Sequence, residues 1–69
     1  MDLINLYEVL IDNVEIQVWC SDDSSFKDGI IFEGKLYDSY KAVEPYEYRR
    51  IFQIEVDNQG KLYVGIELS

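Results

Sequence analysis

Alternating apolar residues on either side of two short polar turns constrain the fold of this chain more than any other feature. The first turn is Asp12-Asn13, and both residue types tolerate the left-handed conformation that a two-residue hairpin turn requires. Pairing Ile11 with Val14 across this turn places six apolar residues on one face: Tyr7, Val9, Ile11, Val14, Ile16 and Val18. A shift of one residue destroys the match, so the pattern predicts a first β-hairpin.

A second hairpin is predicted around Asp57-Asn58-Gln59-Gly60, which is typical of a type I turn with Gly60 in the left-handed position of a bulge. With Asp57 opposite Lys61, the inward residues of the two strands form three pairs: Val56 with Leu62, Ile54 with Val64, and Phe52 with Ile66. Leu68 continues the inward set. A plain four-residue loop would instead set Leu62 opposite Glu55, so the apolar residues of the two strands would not pair. The bulged turn is therefore favoured.

The segment between the hairpins is less regular. A polar loop at 21–25 and a turn at Asp28-Gly29 precede a short buried strand, Ile30–Phe32, which Gly34 ends. Apolar residues at helical spacing then indicate a helix over 36–43, and Pro45 stops it because the residue before a proline disfavours helical dihedrals.

These elements predict one mainly β domain over residues 1–69, with about five short antiparallel strands and one short helix around 36–43. So small a helix does not cover such a sheet, so we expect the strands to curl into a small barrel or roll. An alternative stays open for residues 2–10. There Asp2 caps a helix that carries an apolar stripe of Leu3, Leu6, Tyr7 and Leu10, which gives an α+β fold.

The chain has few aids to stability beyond its core. Sixty-nine residues lie near the lower limit for folding without a disulfide, a metal or a partner. Cys20 is the only cysteine and there is no histidine, so the sequence predicts neither an intrachain disulfide nor a zinc site. Close packing or self-association remains.

Catalysis is not expected, and neither a cofactor nor a bound metal is predicted. Without histidine the chain lacks the side chain that ordinarily titrates near neutral pH, and its serines have no base beside them. Cys20 continues the apolar face of a predicted strand, which favours an inert core thiol. The spacing of Asp22, Asp23 and Asp28 does not fit a calcium loop, so we interpret them as a solvated loop.

A net charge of −8 disfavours direct binding to nucleic acid or to anionic membranes and favours a basic protein surface, although it also serves solubility alone. Arg49 and Arg50 beside Tyr46 and Tyr48 do not form a basic groove among the neighbouring acids. No apolar run approaches the ~18 residues of a membrane span, so we expect a cytoplasmic protein.

The segment from Leu36 to Tyr48 is the best candidate for a partner-binding surface. It combines tyrosines, which are enriched at protein interfaces, with acidic residues. The candidate residues are Tyr37, Asp38, Tyr40, Glu44, Tyr46, Glu47 and Tyr48. The alternative is that half of the tyrosines pack on the core with their hydroxyl groups outward.

The sequence therefore favours a small acidic interaction module that self-associates, as a homo-oligomer, or docks on a basic partner. Two other functions stay open. Inhibitors from phages and mobile elements, of the anti-CRISPR or anti-restriction type, imitate nucleic-acid charge, and this chain is similar to them in size and charge only. The other is an accessory subunit of a larger assembly.

Overall fold

The computed structural model describes residues 1–20 and 29–67. The predicted loop at 21–25, the residues Asp22, Asp23 and Asp28, and Leu68 lie outside that part of the chain. The described elements, in chain order, are α1 (Leu3–Val9), β1 (Glu15–Cys20), β2 (Ile30–Lys35), α2 (Leu36–Val43), a 3-10 helix (Glu44–Tyr46), β3 (Ile51–Val56) and β4 (Leu62–Ile66).

The four described strands form one sheet in the order β2-β1-β4-β3. The pairs β1/β2 and β3/β4 are antiparallel, whereas the two central strands β1 and β4 are parallel. The fold is thus mixed α/β and mostly β, with two α-helices. The predicted barrel is not confirmed, because this sheet is open and β2 and β3 lie at its edges.

The two central strands place their alternate residues on one buried face. Ile16 pairs with Leu62, Val18 with Val64 and Cys20 with Ile66. Both helices pack on this face and complete the core, whose fully or nearly buried apolar residues are Leu3, Leu6, Ile16, Val18, Cys20, Leu36, Val43, Val64 and Ile66. The predicted position of Cys20 in the core is confirmed, since its side chain is a buried free thiol.

The first predicted hairpin is wrong, and the alternative of an N-terminal helix is what forms. The backbone N–H of Asp2 donates to Asn5 Oδ1 at 2.9 Å, which satisfies a free donor at the start of α1. The helix then buries Leu3 and Leu6 against the sheet. Because α1 takes residues 3–9 away from the sheet, β1 pairs with β2 and β4 instead of with a hairpin partner.

The helix predicted over 36–43 is confirmed, but the reason given for its end is wrong. Glu44 has helical dihedrals (φ −51°, ψ −44°) although it precedes Pro45. After Val43 the chain continues as the tighter 3-10 helix Glu44–Tyr46. Pro45 lies in the first turn of this helix, where its missing backbone N–H costs no hydrogen bond. The predicted strand Ile30–Phe32 is also longer than expected, because β2 continues through Gly34 to Lys35.

The second predicted hairpin is confirmed except at its far end. Val56 pairs with Leu62, Ile54 pairs with Val64, and Gly60 is left-handed with φ +86°. A register shift between Ile51 and Gln53 then places Ile51, not Phe52, opposite Ile66. Ile54 and Val56 are also less buried than predicted, at 42% and 61% exposed, although Val64 opposite Ile54 is fully buried.

The turn of this hairpin depends on one carboxylate. The backbone N–H groups of Gln59 and Lys61 both donate to Asp57 Oδ1, at 2.8 and 2.9 Å. These bonds, the one from Lys61 first, hold the pKa of Asp57 below its ordinary value of 3.8. Tyr63 Oη donates to the other carboxylate oxygen at 3.3 Å.

The stability conferred by the Asp57 charge is therefore present above pH ~4 and lost as the pH falls through the lower pKa of the folded state. We expect Asp57→Asn to be less stable than the wild type at pH 7, and the difference between them to shrink toward pH ~2. Urea unfolding at several pH values measures this difference. Asp12→Asn, at an exposed position outside the hairpin, is the control for removing one charge, and a difference that does not change with pH for Asp57→Asn contradicts the interpretation.

Candidate functional site

The seven candidate residues lie on α2, on the 3-10 helix and on the turn that follows it, and their exposure divides them into two groups. Tyr46 and Glu47 are half-buried. The other five are exposed, and we call them the α2 surface: Tyr37, Asp38, Tyr40, Glu44 and Tyr48.

Tyr37 joins the start of α2 to the segment before β1. Its backbone N–H donates to Asn13 Oδ1 at 2.9 Å, and its hydroxyl donates to the carbonyl oxygen of Ile11 at 3.0 Å. The side chain is nevertheless 56% exposed. Tyr37 therefore ties α2 to the segment before β1 through its backbone N–H and its hydroxyl, while much of its ring stays exposed to solvent.

Tyr40 contacts Tyr7, which forms a partly buried hydrogen bond between the two helices. Its ring meets the ring of Tyr7 edge-on, with 5.4 Å between centroids. The Tyr7 hydroxyl lies 2.7 Å from the hydroxyl of fully buried Ser39, which donates to the Leu36 carbonyl at 2.6 Å. Because the single Ser39 proton is used there, Tyr7 is the donor in the first bond. Burial raises the pKa of Tyr7, which keeps this hydroxyl protonated.

Tyr46 and Glu47 serve the fold more than a surface. Tyr46 packs against the core cluster, whereas Tyr37, Tyr40 and Tyr48 are exposed. The carbonyl oxygen of Glu47 accepts a bond of 2.7 Å from the N–H of Ile4, which ties the turn to α1. These two residues position the segment that carries Tyr48.

The α2 surface itself combines aromatic and acidic groups. Tyr37, Tyr40 and Glu44 follow helical spacing and so lie along one side of α2 and its extension. Asp38 and Glu44 are exposed, and Lys41 is the basic residue within the helix. Tyr48 is the most exposed tyrosine of the group at 72%. This composition suits a protein interface with a basic partner.

The sequence did not reveal an aromatic pair on the face of the sheet opposite the helices. The register shift in β3 turns Phe52 toward Trp19, and their rings meet edge-on with centroids 5.2 Å apart. Both rings lie over Gly65, where an added Cβ would come within 2.7 Å of Trp19 Cζ2 and 3.0 Å of Phe52 Cζ. The isolated glycine was the only signal for this close approach.

The same face carries charges that are already paired. Lys61 forms a hydrogen-bonded ion pair with Glu33, which also accepts from Gln17 Nε2 at 3.2 Å. The bond from Lys61 holds the pKa of Glu33 below its ordinary value, and the same contact raises the pKa of Lys61. Lys35 lies 3.3 Å from Glu15. This face therefore presents neutralised pairs, not an unbroken acidic stripe.

Within residues 1–20 and 29–67, no three His, Cys, Asp or Glu residues come together in a way that could hold a metal ion. The helices of this part of the chain are all too short or too polar to cross a membrane.

A scan against protein-family models and searches of curated proteins and of solved structures find no match to the chain.

The contact between Tyr7 and Ser39 has a testable energetic consequence. We expect Ser39→Ala to lower the free energy of unfolding by about 1–3 kcal/mol, because it leaves the half-buried Tyr7 hydroxyl without its acceptor. Tyr7→Phe should cost about 1 kcal/mol, and the double variant should cost less than the sum of the two. Urea unfolding of the four proteins measures the coupling, and strictly additive losses contradict the contact.

The close approach at Gly65 predicts a local effect of a single methyl group. Gly65→Ala should destabilise the fold by about 1–3 kcal/mol through overpacking and should shift the fluorescence of Trp19, the only tryptophan. Gly60→Ala is the matched control. Its cost comes from a left-handed backbone with open space around it, so the Trp19 signal should stay unchanged. Wild-type stability of Gly65→Ala is the result that contradicts the packing.

Proposed function

We propose that this protein is a non-enzymatic interaction module that docks on a basic protein surface through the α2 surface. The observation that carries the proposal is the exposure of three tyrosines and two acids on α2, the 3-10 helix and the turn after it. Exposed tyrosine supplies a large contact area at low conformational cost, and the carboxylates supply charge complementarity.

The chemistry of the described residues supports binding over catalysis. Cys20 is buried in the core, and Asp57 and Glu33 have lowered pKa values that keep them ionised at neutral pH. A general acid or base needs a pKa close to the working pH, so these shifts run in the wrong direction for proton transfer. The chain has no histidine to take that role.

The charge distribution supports a basic protein partner. The ion pairs Glu33–Lys61 and Glu15–Lys35 neutralise acids of the sheet, whereas Asp38 and Glu44 on the α2 surface take no part in these pairs. The carboxylates of Asp38 and Glu44 thus lie outside these ion pairs, on the elements that carry the exposed tyrosines. Imitation of nucleic-acid charge and a role as an accessory subunit stay predictions. The ion pairs on the sheet favour docking on a protein over imitation of nucleic acid, because they interrupt the acidic charge.

The test compares binding by variants of equal charge. Immobilised wild-type protein is used to capture binders from an extract of the source cells, and each captured protein is purified and titrated by calorimetry. We expect a basic protein whose affinity falls at least about tenfold for Glu44→Lys and for Tyr48→Ala, as for residues at the centre of an interface.

Glu55→Lys is the matched control, because it changes the charge by the same amount at an exposed position on β3, away from α2. Its affinity should stay within about twofold of the wild type if the contact is specific, because a charge outside the interface acts mainly on long-range attraction. Equal losses for Glu44→Lys and Glu55→Lys, or a purified binder that is itself acidic, would refute the proposal.

A further inference from the structure

The outer edge of β3 carries backbone groups that no other described strand uses. The start of the chain bonds to one end only, where Ile51 N–H donates to the Met1 carbonyl at 2.8 Å and Leu3 N–H donates to the Arg49 carbonyl at 2.9 Å. Past Ile51, the part of the chain that the structure describes provides no partner on this side.

The direction of those groups follows from the hairpin turn. The backbone N–H of Asp57 donates to the Lys61 carbonyl at 3.0 Å, so the backbone N–H and C=O of Asp57 point toward β4. The direction of the backbone hydrogen-bonding groups alternates along an antiparallel strand. The backbone groups of Gln53 and Glu55 therefore also point toward β4, whereas the N–H and C=O of Ile54 and Val56 point away from the sheet. These groups form a template for an added strand.

The side chains of this edge are unusually apolar for an unpaired strand. Phe52 and Ile54 are each 42% exposed and Val56 is 61% exposed. Soluble proteins commonly protect such edges with lysine or proline, and β3 contains neither. The register shift at Phe52 lies near one end and leaves the residues from Gln53 to Val56 in regular pairing.

We propose that β3 pairs with β3 of a second copy of this chain, antiparallel, to give a continuous eight-stranded sheet. The charges at the two ends of the strand favour this partner. Arg49 and Arg50 precede β3, while Glu55 and Asp57 lie at its other end. Antiparallel pairing of two copies places each basic end beside the acidic end of its partner, whereas parallel pairing places like charges together.

The alternation allows a register centred on Ile54 or on Val56, and centring on Ile54 pairs the greater length of β3. Residues directly opposite each other on paired strands lie on the same face of the sheet. In a symmetric antiparallel pair, one residue therefore lies opposite its own copy, and the two-fold axis passes between these two residues. An axis at Glu55 sets two carboxylates against each other. An axis at Ile54 uses its outward N–H and C=O for both central bonds, stacks two exposed apolar side chains, and sets Gln53 opposite Glu55, an amide donor against a carboxylate.

The association should be modest. One short strand pairing lies at the small end of interface sizes, so we expect a dissociation constant on the order of micromolar. Sedimentation equilibrium of the wild-type chain from about 1 to 300 µM at physiological salt should show a monomer–dimer equilibrium. A wild-type chain that stays monomeric over this range overturns the proposal.

Charge at the axis provides the decisive variant. Ile54→Lys opposes two ammonium groups in the dimer and should weaken association at least about tenfold. Val9→Lys is the matched control, since it adds the same charge at another exposed apolar side chain, on α1, and should leave association within about twofold. Thermal unfolding confirms that each variant is folded. Equal association of Ile54→Lys and the wild type overturns the proposal.

The register has its own test. Under mild oxidation Ile54→Cys should form a disulfide-linked dimer, because central paired residues have Cα atoms ~5.5 Å apart, whereas Glu55→Cys should do so poorly. A faster link through Glu55→Cys overturns the register. Glu44→Lys should dimerise like the wild type, so failure of the docking proposal and failure of this one are distinguishable.

Discussion

The parallel pairing of β1 with β4 is the constraint on which the rest of this structure depends. It places Ile16, Val18 and Cys20 beside the alternate residues of β4 and so creates the strip of apolar surface that both helices cover. Parallel neighbours require a crossover, and here β2, α2 and β3 lie between them in the chain. The same pairing leaves β2 and β3 at the edges, so the exposed apolar strand is a consequence of how the core is built.

The parts of the fold that were predictable are those set by neighbouring residues. The second hairpin has a turn that only one register satisfies, and α2 has a clear helical spacing. Residues 3–11 were ambiguous because Leu3, Leu6 and Leu10 fit a helix while Tyr7, Val9 and Ile11 fit a strand. Tertiary packing decides between them: the helix buries Leu3 completely, whereas Ile11 is left 80% exposed.

The candidate site was predictable in composition and not in detail. The run of tyrosines and acids located the α2 surface, but it did not distinguish Tyr46, which packs on the core, from Tyr48, which is open to solvent. The contact of Tyr7 with Ser39 joins residues on two helices, and the Trp19–Phe52 pair needs both the central parallel pairing and a register shift. None of these has a local pattern in the sequence.

The two proposed surfaces are compatible, and together they give the acidic charge a structural role. A two-fold axis perpendicular to the sheet keeps the helices of both copies on the same side, so the proposed dimer presents two α2 surfaces in one direction. A basic partner with two suitable patches then binds with an effective concentration set by a rigid sheet instead of a flexible linker. The net charge of −8 on each copy opposes association beyond that one strand pairing, because further apolar contact must overcome repulsion between like-charged bodies. Under this proposal the charge limits further assembly at the exposed edge, while the basic and acidic ends of β3 favour a single antiparallel partner.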